Sequence, residues 1–140
     1  MPRIAAAFWL FGILCVIAGM ALGMHMGESR DFTLAPVHAH INLLGWASMM
    51  IYGLYYRAVP AAATGALPVI HFVVNVISVL VSMPLLVVLL LDQATNKPHF
   101  GLDVKTTGMI LGPFEAGILL SMLIFAFIVW FRTGKSPAAA

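Results

Sequence analysis

Between Pro36 and Trp46 the chain reads Pro-Val-His-Ala-His-Ile-Asn-Leu-Leu-Gly-Trp, which sets His38, His40 and Asn42 at the mouth of an apolar run that reaches Tyr55-Tyr56-Arg57. Imidazole ligates iron, copper and zinc, and heme iron takes one or two axial ligands presented from helices. A ligating ring needs a partner on its other nitrogen, and Asn42 or a backbone carbonyl can serve. A lone histidine at a membrane edge is ordinarily a cap or a headgroup contact; the doublet with Asn42 and Trp46 points instead to ligation. On a helix His40 lies roughly 200° from His38, so only one of the two faces inward. Both converge if Pro36 to His40 is unwound.

Four further residues carry candidate chemistry. His99 stands between Pro98 and Phe100. His25 lies in Gly23-Met-His-Met-Gly27, where two thioethers beside an imidazole make a soft set suited to Cu(I). His71 with Asn75 reads as a buried interhelical hydrogen-bonding pair, and Glu115, in Gly112-Pro113-Phe114-Glu115, is a carboxyl within an apolar run, either a proton relay or a protonated donor. The candidate cofactor-binding residues are thus His38, His40, Asn42 and His99, and the candidate metal ligands His25, His38, His40 and His99. No nucleophile, base and oxyanion-hole set is present, so no residue is assigned a catalytic role. Cys15, the single cysteine, is expected to be a packing residue.

The elements that must position these groups follow from composition. Of the 140 residues 62% are hydrophobic and 9% charged, and mean hydropathy is +1.04, against roughly 45–50% and about 25% in a soluble domain. Four apolar stretches, Ile4–Gly23, His40–Tyr56, Val69–Leu91 and Thr107–Phe131, are each about as long as a bilayer crossing requires. The expectation is an all-α membrane protein, a single four-transmembrane-helix bundle over residues 1–140. The first stretch is read as a retained helix, because its apolar core is longer than that of a secretory leader. A net charge of +2 with scattered Lys and Arg excludes a nucleic-acid patch. Expected partners are the lipid bilayer, a cofactor, and other membrane subunits or further copies of this chain.

An even number of spans puts both termini on one side with Arg3, Arg57, Arg132 and Lys135, against Arg30, Lys97 and Lys105. That excess places the termini in the cytoplasm, and the expected location is a bacterial inner membrane. His25, His38, His40 and His99 then gather at the outer face. His71 begins the third span at the inner face, on the order of 20 Å from His40. Within the second span His38, Asn42, Gly45, Met49, Tyr52 and Tyr56 share one helical face; within the third, His71, Asn75, Ser78 and Ser82 do so, with a kink expected at Pro84.

The run His38-Ala-His-Ile-Asn-Leu-Leu-Gly-Trp46, followed by Gly53-Leu-Tyr-Tyr-Arg-Ala-Val-Pro60, resembles the second helix of the catalytic subunit of heme-copper oxidases and nitric oxide reductases. In that family this helix supplies an axial histidine to the low-spin heme. The resemblance implies a b-type heme held by His38 or His40: registration on the two tyrosines favours His38, and the His-x-Asn pattern favours His40. The family's later histidines, which bind the active-site heme and its neighbouring metal, have no counterpart here. Oxygen or nitric oxide reduction by this chain alone is therefore not expected. What the resemblance implies is a one-heme module for electron transfer, heme handling or gas sensing. Copper or zinc on the histidine set, or a structural accessory subunit without cofactor, are the alternatives.

Overall fold

The computed structural model describes residues 2–133, and every element among them is helical. Helix α1 spans Arg3–Ser29 and ends where Arg30 turns left-handed (φ 56°). A short connection leads into three helical segments joined head to tail: α2, Ala35–His40; a π-helical stretch, Ile41–Ala47; and α3, Ser48–Ala58. Pro36 stands in the first turn of α2, where its missing N–H costs nothing. A single 3-10 turn, Pro60–Ala63, leads to α4, Leu67–Thr95, which runs unbroken through Pro84 and closes on left-handed Asn96 (φ 53°). Helix α5, Val104–Arg132, starts from Asp103, whose carboxylate accepts the Thr106 amide at 3.0 Å.

Three helices, α1, α4 and α5, are long and apolar enough to cross a membrane, the signature of an integral membrane protein. All three extend past the apolar stretches that announced them. Polar residues at a helix end continue the backbone ladder without needing an apolar environment, so hydropathy marks the crossing and not the helix. The longer α1 carries His25, which is therefore helical and not part of a connection. The second stretch likewise starts earlier than His40, and Pro36 to His40 is wound rather than extended.

The helices form two antiparallel pairs, α1 along α2–π–α3 and α4 along α5, and the pairs meet through α1, the π segment and α4. Ala5, Phe8, Met49, Tyr52, Tyr56, Ala62 and Ile128 form the main core, at the end that holds the termini. Val79, Met83 and Ile118 form a smaller cluster nearer the opposite end. Leu10, Leu14, Ile17, Leu54, Leu80 and Leu123 stay largely exposed on the outside, as lipid-facing side chains do.

Candidate functional site

His38 sits on the last turn of α2 with its ring laid against α1. Its Nδ1 lies 2.8 Å from the Gly19 carbonyl oxygen. A carbonyl only accepts, so Nδ1 carries the proton and Nε2 keeps its lone pair. Asn42, one turn on, donates its Nδ2–H to the His38 carbonyl at 2.9 Å and stands 3.4 Å from Nε2. The approach is possible because α1 offers bare backbone here. A Cβ at Gly23 would come within 2.8 Å of His38 Cε1, and one at Gly19 within 2.7 Å of the Asn42 amide. Gly19-Met-Ala-Leu-Gly23 is a Gly-x-x-x-Gly step, which permits this spacing between helices.

His40 points elsewhere. Its Nδ1 meets the carbonyl of Pro36, in its own helix, at 2.7 Å. The helical alternative drawn from the sequence is thus the one adopted: one histidine turns inward and the other outward.

Immediately after the doublet the backbone widens. Seven residues, Ile41–Ala47, are π-helical, and Ser48 closes the stretch with both its amide and its hydroxyl on the Leu43 carbonyl, the latter at 2.9 Å. Each wider turn rotates later residues back relative to those before it. His38 and Asn42 press on α1, and Tyr52 and Tyr56 pack on Phe8 of α1 as well as on His71 of α4 and Phe125 of α5. The face from His38 to Tyr56 thus follows α1 throughout and takes in α4 and α5 at its tyrosine end. π turns of this kind concentrate at functional sites.

His99 and His25 occupy separate places. His99, in the α4–α5 connection, gives both its backbone N–H and its Nδ1 to one oxygen of Asp92, each at 2.7 Å. Asp92 is buried, 2% exposed. His25 is exposed on α1. Among the described residues no group of three or more His, Cys, Asp or Glu side chains gathers as metal ligands do. Glu115 is half-buried on α5.

His71 belongs to the termini end. It is fully buried, with Nδ1 2.9 Å from the Tyr56 hydroxyl, inside a ring of Phe8, Tyr52 and Phe125 whose centroids lie 4.6–5.4 Å away. Asn75 donates to Ser121 Oγ across to α5 at 2.7 Å. Both residues make interhelical hydrogen bonds, though not to each other.

Between α1, the π segment and α4 runs an apolar groove of about 260 Å³, lined by Phe11, Cys15, Ala18, Ile41, Val79 and Met83 among others. It begins one turn toward the bundle centre from the His38–Gly19 contact. Sequence reasoning named His38 and Asn42 but missed the α1 platform beneath them, although the Gly-x-x-x-Gly step was there to be read. It also missed Asp92, whose only signal was an acid at the end of an apolar run. No protein-family model, curated protein or solved structure matches this chain.

Proposed function

We propose that the protein is a membrane-embedded module that binds one b-type heme through His38, with electron transfer, heme handling or gas sensing as its role. The observation that carries this reading is the His38 ring: Nδ1 is fixed on the Gly19 carbonyl, and Nε2 is left with a lone pair and no donor closer than 3.4 Å. That is the second-shell arrangement an axial imidazole requires. Asn42 steadies the same turn, and the resemblance of His38–Trp46 to an oxidase low-spin heme helix agrees with it. When bound, heme would supply one-electron and gas-ligand chemistry, while the bundle sets its position and potential.

The neighbouring groove would take at most the apolar edge of a macrocycle, and His38 does not line it. Its roughly 260 Å³ falls just under the roughly 300–1,000 Å³ of most small-molecule sites, so lipid, a second copy or a partner subunit would complete the enclosure. The second axial position falls to such a partner or copy, since His40 turns away from His38 and His99 is held on Asp92. A copper or zinc site built from His25, His38, His40 and His99 is the weaker reading. Zinc takes three or four converging protein ligands, and among the described residues no three His, Cys, Asp or Glu side chains converge.

In this reading α2, the π segment and α3 together make a fourth crossing, giving a four-helix bundle. The basic residues Arg3, Arg57 and Arg132 support a cytoplasmic termini end in a bacterial inner membrane. The test is the purified full chain in detergent, with oxidised and dithionite-reduced spectra, pyridine hemochrome quantification and metal analysis. One b-type heme per chain, lost in His38→Ala and kept in His71→Ala, is the expected result. Equal heme retention in both variants refutes axial ligation by His38. A blank spectrum with bound copper or zinc favours the metal alternative, and neither leaves an accessory subunit.

A further inference from the structure

Helix α4 carries Pro84 in its interior, within a stretch long and apolar enough to cross the membrane. Proline has no N–H, so the carbonyl one turn back, on Leu80, loses the donor that an α-helix would give it, and the proline ring crowds that carbonyl off the helix axis. Leu80 is the fourteenth of the 29 residues of α4. Its carbonyl therefore lies near the bilayer midplane, out of reach of lipid headgroups.

Carbonyls freed in this way are ordinarily met by a neighbouring helix, a hydroxyl side chain or water. The hydroxyl two residues on, Ser82 Oγ, donates instead to the Val79 carbonyl at 3.5 Å. On the helix surface Leu80, Met83 and Pro84 are the side chains that surround the Leu80 oxygen, and all three line the apolar groove between α1, the π segment and α4. The facing wall on α1 is Phe11, Leu14, Cys15 and Ala18. Its one side-chain donor, the Cys15 thiol, is weak and is turned onto Gly45. The groove thus presents one backbone acceptor in an otherwise apolar wall, and Leu14 and Leu80 at its rim are exposed to lipid.

We infer that this groove is a binding site for a neutral lipid whose hydrocarbon body carries one free hydroxyl, an alcohol of the isoprenoid or long-chain class. The O–H donates to the Leu80 carbonyl, and the body packs between α1 and α4. A glycerolipid keeps its polar atoms at the membrane interface and offers only an acyl chain at this depth. The apolar edge of a heme fills space but brings no donor. The site therefore goes beyond the heme reading, and His38 stands outside its walls.

The experiment takes the full chain, delipidated in detergent, and measures binding of radiolabelled farnesol in competition with unlabelled farnesol or with farnesyl methyl ether, which has the same body and no O–H. Farnesol is expected to compete about tenfold better than the ether, as one hydrogen bond allows. Pro84→Ala returns an N–H to the Leu80 carbonyl and leaves the α1 wall unchanged, so it should bring farnesol down to the affinity of the ether. Ala18→Phe fills the groove and should abolish binding of both. Because that variant can disturb helix packing, a diazirine-bearing farnesol, cross-linked and mapped by mass spectrometry, is the second probe, with labels expected on residues 11–18 and 79–84. Equal affinity for alcohol and ether in the unaltered protein, or a preference that survives Pro84→Ala, overturns the assignment. So do labels confined to other parts of the chain.

Discussion

Substituting Gly23 by alanine tests whether the α1 platform holds the His38 ring. The new Cβ would meet His38 Cε1 at 2.8 Å and Nδ1 at 3.2 Å, too close for the ring to stay. Nδ1 is bonded to the Gly19 carbonyl, so withdrawing the ring gives up a hydrogen bond of about 0.5–1.5 kcal/mol. Overpacking adds about 1–3 kcal/mol. Against this, alanine within a helix gains about 0.8–1.0 kcal/mol over glycine. The balance is a loss of about 0.5–4 kcal/mol, centred near 2. Gly27 is the control, because a Cβ there meets nothing within 4 Å. Gly27→Ala should keep the propensity gain and stabilise by up to about 1 kcal/mol. Denaturant titration in detergent micelles, followed by tryptophan fluorescence, measures both. If Gly23→Ala and Gly27→Ala agree within about 0.5 kcal/mol, the span of an ordinary surface substitution, the platform argument fails.

Two further predictions concern other interfaces. A double-mutant cycle on Asn75→Ala and Ser121→Ala should give a coupling of about 0.6 kcal/mol, the mean for hydrogen bonds between membrane helices, because their 2.7 Å bond joins α4 to α5; a coupling of zero would deny that contact. Hydrogen bonds from Thr106, side chain first and then backbone amide, hold the Asp103 carboxyl below its ordinary pKa. A depressed folded value stabilises above the unfolded value of about 3.9, and that contribution disappears as pH falls through the folded one. Hydrogen-exchange protection at the start of α5 should therefore be flat above that range and drop below it. Asp103→Asn should lack the step, and the same step in both proteins would point to another group.

The helical class and three of the four expected membrane-crossing stretches were legible because hydropathy over twenty residues is a strong signal. Helix ends were not, since Met24–Ser29 and Asp92–Thr95 extend their helices with mixed polarity and no early breaker. At the site, the rotation between His38 and His40 followed from helix geometry alone, but the choice of the inward ring did not. It depends on Gly19 and Gly23, which lie in another helix, and non-local contacts have no local signature. The π segment was hidden too: Ile41–Ala47 has the composition of an ordinary α-helix, and the close fit of its Gly45 on Cys15 of α1, where a Cβ would stand 2.8 Å from Sγ, is again a contact between helices.

That widened stretch also has a mechanical meaning. It sits between the His38 end and the Tyr52–Tyr56–His71 core, in one continuous helical rod. Rewinding a π turn to α converts length into twist, because each α residue advances the helix by about 100°. Residues 41–47 are thus a torsion joint: a change of winding there would turn His38 about the rod axis relative to Tyr56 with the ends of the rod still anchored. Deleting one residue would let the joint rewind to α with the two ends close to their present phase, because an i→i+5 turn holds about one residue more than an α turn.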